Sequence, residues 1–357
     1  MPSAFRSETK GSIGQAVTVI LPLLLLLLLS FLLALGVVYQ VLGSRSDERR
    51  FPPPGRMIDI GPCKLHLNQS GTGKPVVLLE AGIAASSLSW SLVQPRLAEF
   101  TSVCSYDRAG LGWSGSRPSE SCPPTLQQMT GELDALLRKA GLDAPILLVG
   151  HSFGGLLVSA YAYAHPERVL GLVLVDPISL ADWGSGTRSN AQRIASGVKL
   201  SRRGAVLARV GLVRAALSIL HAGGRWIPKH VGQIAARQGT GLMERVVSEI
   251  TKLPREVQSM VRAHWSRPKG FLAMAGYLEA LPASAAEASE MSLPTGIPIS
   301  ILSAGNATPA ELFERDAWAK RSERGSHTQV PSTGHWLQWE RPELVVAAVR
   351  KMIEETC

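Results

Sequence analysis

A serine in a glycine-rich turn is the residue of this sequence that is best placed to act as a nucleophile. Ser152 lies in the segment 150–155 (GHSFGG), after the apolar run 146–149 and before a stretch of small residues. The pattern predicts a strand, a sharp turn and a helix. A turn of this kind exposes the serine oxygen to a base, and the positive end of the helix would face a developing oxyanion. Ser152 is therefore predicted to be a catalytic nucleophile rather than only a helix cap.

A histidine near the end of the chain is suited to act as the base for that serine. His335 lies in the segment 333–336 (TGHW), after the last predicted strand and before the last predicted helix. A loop at that point could fold back over the strand ends and reach Ser152, whose proton a base must remove. His327 is the nearest alternative, because the other histidines occur in a predicted edge strand, in the turn itself, at a helix end or in the insertion described below.

From Met57 onward, short apolar runs alternate with segments of helical periodicity, which is typical of an α/β fold. The pattern predicts a mostly parallel sheet with helices on both faces and an antiparallel pair of strands at one edge. The alternation stops at Asp176, after the sixth strand, and resumes at Pro298. The predicted strands are 57–60, 64–68, 76–80, 101–106, 146–149, 169–175, 297–303 and 328–330.

The segment that interrupts this alternation, residues 178–290, is predicted to be a helical lid. It contains 16 Lys and Arg but only 7 Asp and Glu, so all of the chain's net charge of +9 resides in it. Apolar residues between the charges, as in 206–220, would suit a surface that rests on an anionic membrane or covers an apolar pocket. The arginines could equally form an ordinary solvated helix face, and no nucleic-acid-binding motif accompanies them.

The N-terminal region has the composition of a membrane anchor. No charged residue occurs between Lys10 and Arg45, and residues 23–29 are consecutive leucines. About 20 such residues span the hydrocarbon core of a bilayer, whereas a cleavable signal peptide has a shorter apolar core. We therefore predict a single-pass transmembrane helix, with a cleaved signal as the alternative. The predicted organisation is a tail (1–15), a transmembrane helix (16–42), a linker (43–55), an α/β core (56–177 and 291–357) and the lid (178–290).

Several separated segments resemble the α/β-hydrolase superfamily, in its lid-bearing branch of serine esterases and lipases. They occur in the order that the family has, and together they cover roughly residues 57–355. The resemblance implies the α/β-hydrolase fold and the chemistry of a serine hydrolase. The segments are the turn around Ser152, 79–82 (LEAG), 106–114 (YDRAGLGWS), 171–177 (GLVLVDP), 334–335 (GH) and 341–343 (RPE).

The resemblance also implies which groups would hold the oxyanion. They are the backbone N–H groups of Ile83, the residue after Gly82, and of Phe153, the residue after the nucleophile. Many relatives have a His-Gly pair where this chain has Ala81-Gly82. A backbone donor does not require that histidine side chain, so the oxyanion hole is still expected.

The acid that orients the histidine is not at the family's usual position. The segment 305–309 (GNATP), after the seventh predicted strand, has no carboxylate. Asp176, at the end of the sixth strand, stands at a known alternative position for the acid in this fold and keeps the order Ser, Asp, His. Glu311, Glu314 or Asp316 could also reach the histidine from the following helix. We favour Asp176 and keep these three carboxylates as alternatives.

Together these patterns predict a membrane-anchored serine hydrolase that cleaves a carboxylic ester of an apolar acyl group through an acyl-enzyme. An amidase, thioesterase or acyltransferase of the same fold is an alternative, and so is a catalytically silent, membrane-tethered binding protein. The serine at position 152 disfavours a dehalogenase or epoxide hydrolase with an aspartate nucleophile. No metal or cofactor is predicted. The expected partners are a small-molecule or lipid ester and the membrane, which the N-terminal helix and the basic lid would contact.

Overall fold

An eight-stranded sheet forms the centre of the protein in the computed structural model, which describes residues 7–118, 122–221, 250–292 and 295–356. The strand order is β1-β2-β4-β3-β5-β6-β7-β8. β1 and β2 are antiparallel at the edge, β2 pairs antiparallel with β4, and the remaining pairs are parallel. The strands are β1 (Arg56–Asp59), β2 (Lys64–Ser70), β3 (Val76–Glu80), β4 (Ser102–Tyr106), β5 (Ile146–His151), β6 (Val169–Val175), β7 (Ile299–Ala304) and β8 (Gly325–Val330).

Helices cover both faces of this sheet, as its apolar strands require. In β5, the side chains of Ile146 and Leu148 pack on one face together with α3 and α4, whereas Leu147 and Val149 pack on the other face with α12. The predicted fold class is therefore confirmed. The helices of this core are α2 (Gln94–Leu97), α3 (Leu126–Lys139), α4 (Phe153–Ala164), α10 (Pro309–Ala319), α11 (Leu337–Glu340) and α12 (Pro342–Thr356).

A helical insertion follows β6 and precedes β7, which is the predicted position of the lid. Its longest helix, α9, packs along α5 and α6, and two glycines allow the close approach: Gly184 lies against Ala286, and Gly204 lies against the ring of Phe271. Residues 222–249 of the predicted lid lie outside the described residues. The described helices of the insertion are α5 (Leu180–Gly184), α6 (Arg188–Arg209), α7 (Leu212–His221), α8 (Arg255–Trp265) and α9 (Pro268–Glu290).

The N-terminal helix, α1 (Ser7–Arg50), is longer than predicted at both ends. The transmembrane helix was predicted over 16–42 and the linker over 43–55, but residues 43–50 continue the helix. At Gly43, the absence of a side chain lets Arg214 of the insertion lie against the helix backbone. The helix ends before the prolines 52–54, which cannot continue it. The part of the helix from Ile20 onward is long and apolar enough to cross a membrane, and an 18-residue window in it has a mean hydropathy of 2.9.

Parallel pairing brings several strand ends to the same edge of the sheet. Gly150 at the end of β5 pairs with Glu80 of β3, and His151 pairs with Val175 of β6. The loops that follow β3, β5 and β6 therefore start side by side. In open α/β sheets this carboxyl edge is where ligands bind.

Candidate active site

The turn that carries Ser152 has the strained geometry of a nucleophile elbow. Ser152 has φ 56° and ψ −120°, in the left-handed half of conformational space that residues other than glycine rarely occupy. The two flanking glycines make this turn possible. A β-carbon on Gly150 would lie 2.5 Å from the carbonyl oxygen of Gly154, and one on Gly154 would lie 2.5 Å from the carbonyl oxygen of Glu80. Both contacts would be collisions, so the sequence folds this way only with glycine at both positions.

The structure brings Ser152, His335 and Asp176 together. His335 Nε2 lies 3.0 Å from Ser152 Oγ, and His335 Nδ1 lies 2.6 Å from Asp176 Oδ2. Ser152 and Asp176 are buried, whereas the side chain of His335 is partly exposed. This is the arrangement in which a carboxylate holds one tautomer of a histidine, so that the other ring nitrogen can take a proton from a serine.

Both oxygens of the Asp176 carboxylate have partners, because Oδ2 faces His335 Nδ1 and Oδ1 faces two further donors. Its backbone has φ 43°, and its Oδ1 accepts hydrogen bonds from the Ala304 N–H at 2.9 Å and from Arg315 Nη1 at 2.7 Å. Burial opposes ionisation of this carboxyl. The hydrogen bond and charge of His335, together with the charge of Arg315, outweigh burial and lower the pKa of Asp176. The group is therefore an anion at neutral pH.

The three alternative carboxylates are engaged elsewhere. Glu311 accepts from Thr308 in a capping box at the start of α10. Glu314 accepts the backbone N–H groups of Leu180 and Ala181 at 2.8 and 3.0 Å. Asp316 lies 2.7 Å from His327 Nδ1. None of the three is among the groups that contact His335 in the described part of the chain.

His327, the alternative base, belongs to a chain of hydrogen bonds behind Asp176. Its Nε2 lies 2.7 Å from the hydroxyl of Ser303, and that hydroxyl also accepts from Arg315 Nη1 at 2.9 Å. Arg315 in turn binds Asp176 and the carbonyl of Pro177. Arg315 was not among the predicted site residues, because it is one of several charged residues of a predicted helix and nothing in its neighbours marks it as buried.

The loop after β3 holds the predicted oxyanion donor Ile83. The buried guanidinium of Arg108 donates to the carbonyls of Ala81, Gly82 and Ile83, at 2.7 Å for Ala81 and 2.9 Å for Ile83. In a trans peptide the carbonyl and the following N–H point in opposite directions, so the Ile83 N–H is directed away from Arg108. A β-carbon on the neighbouring Gly82 would lie 3.6 Å from Ser152 Cβ, which places this loop beside the serine.

The second predicted donor is the N–H of Phe153. This residue begins α4, so its N–H has no acceptor within the helix and lies at the positive end of the helix dipole. Phe153 itself is buried beneath the turn. Ile83 and Phe153 therefore lie in separate segments, one in the loop after β3 and one directly after Ser152, and their N–H groups remain the predicted oxyanion donors.

Arg108 is itself fixed by a buried carboxylate. Glu80, the last residue of β3, binds both Arg108 and the hydroxyl of Tyr106. Burial raises the pKa of Glu80, and the charge of Arg108 opposes that rise. The pair was not recognised in the sequence, although Glu80 and Arg108 both lie in segments that resemble the family.

His151 contacts the loop that carries His335 and helps to hold it in place. Its Nε2 donates to the His335 carbonyl at 2.8 Å, and the two rings lie 4.7 Å apart. Burial, reinforced by the nearby His335, lowers the pKa of His151 to about 3, so it is a neutral donor at this position. Among the residues that the structure describes, no group of three or more His, Cys, Asp or Glu side chains is arranged to bind a metal.

Comparison with known proteins agrees with this geometry. The α/β-hydrolase fold model matches residues 75–224. The chain is 36% identical over 131 residues to a 2-hydroxymuconate semialdehyde hydrolase from a Pseudomonas species, covering 35% of this chain and 44% of that protein. It is 34% identical over 125 residues to the lipase LipV from Mycobacterium tuberculosis, covering 35% and 45%. The chain thus spans less than half the length of these curated relatives.

Solved structures extend the likeness over most of the chain. The enol-lactonase from Burkholderia xenovorans superposes with a TM-score of 0.56 over 84% of this chain and 100% of that protein, at 19% sequence identity. At that identity the likeness concerns the fold alone. The strand order, the turn at Ser152, the match over residues 75–224 and the superposition agree that this protein has the α/β-hydrolase fold.

Proposed function

We propose that this protein is a serine hydrolase that cleaves a carboxylic ester through an acyl-enzyme. The observation that carries the proposal is the hydrogen-bonded series from Ser152 through His335 to Asp176, with distances of 3.0 and 2.6 Å. A serine in hydrogen-bond contact with a histidine whose tautomer is held by a carboxylate can be deprotonated as it attacks a carbonyl carbon. The hydrolase relatives are consistent with this class of reaction.

The proposed reaction has two halves. Ser152 Oγ attacks the ester carbonyl while His335 Nε2 takes its proton, and the N–H groups of Ile83 and Phe153 hold the oxyanion. The oxyanion collapses, the alkoxide leaves, and His335 gives it the proton. Water, deprotonated by His335, then attacks the acyl-enzyme and releases the acid, and the proton returns to Ser152. Asp176 remains an anion throughout and stabilises the imidazolium that forms twice.

An apolar acyl group is the proposed substrate class. The helical insertion begins directly after β6 and Asp176, and its partly buried Ile178 and Trp183 join the core cluster that contains Phe153. Apolar residues thus connect the insertion with the serine turn, as in a lid over an acyl pocket. One relative is named a lipase, which favours an ester over an amide or a thioester.

Membrane anchoring is part of the proposal. The large apolar side chains of α1 between Ile20 and Leu42 are 42–60% exposed, and such a surface is stable only in contact with lipid or protein. We propose that α1 is a single-pass anchor and that the basic insertion faces anionic lipid headgroups. Flotation of the full chain with vesicles after an alkaline wash tests this. Recovery of a mature protein that lacks the apolar segment would contradict it.

Labelling with a fluorophosphonate tests the chemistry. The full chain in detergent should be labelled, Ser152→Ala should be neither labelled nor active, and the control Ser159→Ala on the adjacent helix should behave as the wild type. A wild-type chain that resists labelling would favour a silent binding protein. Labelling that persists in Ser152→Ala would contradict the nucleophile. A series of p-nitrophenyl esters, thioesters and anilides of increasing chain length then ranks the substrate classes.

A further inference from the structure

The turn between α6 and α7 forms an apolar corner at the edge of the insertion. Val206 and Leu207 lie in the last turn of α6, Leu212 begins α7, and their side chains are 46–56% exposed. Val210 and Gly211 form the turn between them. We call these five residues the lid corner. Three large, exposed apolar side chains around one turn are unusual for a surface in water and indicate a partner.

The lid corner lies against the apolar part of α1. Gly36 of α1 approaches so closely that a β-carbon there would collide with the carbonyl oxygen of Val210. On the other side of the contact, a β-carbon on Gly211 would lie 2.6 Å from the carbonyl oxygen of Gly36 and 3.0 Å from the ring of Tyr39. The two backbones therefore touch through paired glycines, which is how helices approach each other closely.

Polar contacts between α1 and the insertion hold the lid corner at this position along α1. Gln40 of α1 is 5% exposed; its Oε1 accepts from Arg214 Nε at 3.1 Å and its Nε2 donates to the carbonyl of Ser266 at 3.0 Å. Arg214 also binds Asp47 at 2.7 Å and Ser44 at 3.2 Å. A buried arginine with three partners on one helix fixes the height of the lid corner along α1.

That height places the corner within the apolar band of α1. Exposed apolar side chains continue past Gly36 toward the core, at residues 37–39, 41 and 42. At 1.5 Å per residue, Leu42 lies ~9 Å closer to the core than Gly36 does. A span of about 20 residues that ends at Leu42 begins at Leu23, just after Pro22. The lid corner is then ~9 Å inside the boundary of the hydrocarbon.

We propose that the lid corner is inserted into the acyl-chain layer of the leaflet that α1 enters, so the protein contacts the bilayer through two elements. The proposal rests on the proposed anchoring by α1 but not on the proposed reaction. Charge complementarity supports a lipid partner, because exposed Arg45, Arg49 and Arg50 follow the apolar band. Arg209, exposed at the end of α6 beside the lid corner, is long enough to bring its guanidinium to the headgroups while its stem stays among the acyl chains.

Nitroxide labels on single cysteines of the full chain test this. The background replaces Cys63, Cys122 and Cys357 by serine and keeps the buried Cys104. The chain is reconstituted into vesicles of phosphatidylcholine and phosphatidylglycerol, and collision rates with oxygen and with a polar nickel chelate are compared. The corner variants are Leu207→Cys and Leu212→Cys. Leu33→Cys on α1 is the control inside the bilayer, and Phe313→Cys, whose native side chain is 78% exposed on α10, is the control in water.

We expect the ratio of oxygen to nickel collisions at both corner positions to exceed that of Phe313→Cys about tenfold and to approach that of Leu33→Cys, because a polar chelate avoids hydrocarbon. Corner labels that resemble Phe313→Cys, with Leu33→Cys in the bilayer, would overturn the insertion and leave the anchoring intact. Labels shielded from both probes would mean that protein covers the corner, which also overturns it. A Leu33→Cys label in water would overturn the anchoring and the insertion together. Ester hydrolysis plays no part in the readout.

Discussion

The carboxylate of Asp176 provides the sharpest test of the proposed triad, because its two oxygens have different partners. Oδ1 accepts from the Ala304 N–H and from Arg315, and Oδ2 faces His335 Nδ1 at 2.6 Å. In Asp176→Asn, the amide oxygen must stay on the side of the two fixed donors, because an NH₂ group there would meet donors only. The amide NH₂ is therefore directed at His335 Nδ1.

This arrangement predicts the wrong histidine tautomer. When the asparagine NH₂ donates to Nδ1, the ring proton moves to Nε2, which then donates to Ser152 instead of accepting its proton. A change of this kind lowers kcat about 10⁴-fold in a serine protease, and the same loss is expected here. It corresponds to roughly 5.5 kcal/mol of activation free energy at 1.36 kcal/mol per tenfold. The free energy of unfolding should fall by only about 1–2 kcal/mol. The asparagine keeps the shape of the side chain and its contacts with the Ala304 N–H and Arg315, and it loses only the negative charge.

The measurement is the turnover of a p-nitrophenyl ester by the full chain in detergent, with thermal unfolding as the control for folding. Glu311→Gln, Glu314→Gln and Asp316→Asn are matched controls, each expected to keep turnover within a few-fold of the wild type. An Asp176→Asn variant that kept a tenth or more of the wild-type kcat would refute the tautomer argument. A loss confined to one of the three control variants would instead place the acid on α10.

Three further outcomes are expected. Arg108→Lys should lower kcat about 10- to 100-fold with little change in KM, since one ammonium group cannot hold the three loop carbonyls that orient the Ile83 N–H; unchanged ester turnover would contradict this. Ser303→Ala should lower kcat less than tenfold in the same assay without unfolding the chain, because Arg315 keeps its contact with Asp176; a complete loss of turnover would contradict the chain of contacts. His264, whose ring nitrogens have no partner among the described residues, has its pKa lowered to about 3 by burial. Between pH 6.5 and 3 only the unfolded chain binds that proton, so stability is lost as the pH falls, at up to ~1.4 kcal/mol per pH unit. His264→Phe should remove that slope from thermal unfolding curves taken across this range, and an unaltered slope would disprove the assignment.

Local patterns in the sequence determined the fold class and the two residues with the clearest motifs. An apolar run, the segment around Ser152 and a small-residue helix predict a nucleophile turn from ten consecutive residues or so, because both glycines are required by contacts within the turn and with the next strand. His335 could be found because it lies between the last strand and the last helix, where a loop necessarily reaches the carboxyl edge of the sheet. Alternation of strands and helices likewise depends on neighbours in the chain.

The sequence offers four carboxylates that could orient His335, and only the tertiary structure shows which of them contacts it. Asp176 and Glu314 are 138 residues apart in the chain, and which of them meets His335 depends on how the loops after β6 and β7 are packed. No residue near Arg315 in the chain marks it as the partner of Asp176. The same holds for the end of α1, where composition predicted a linker. The helix continues through Gly43 and Ser44, and Arg214, far away in the chain, packs against both; such a contact leaves no periodicity in the sequence.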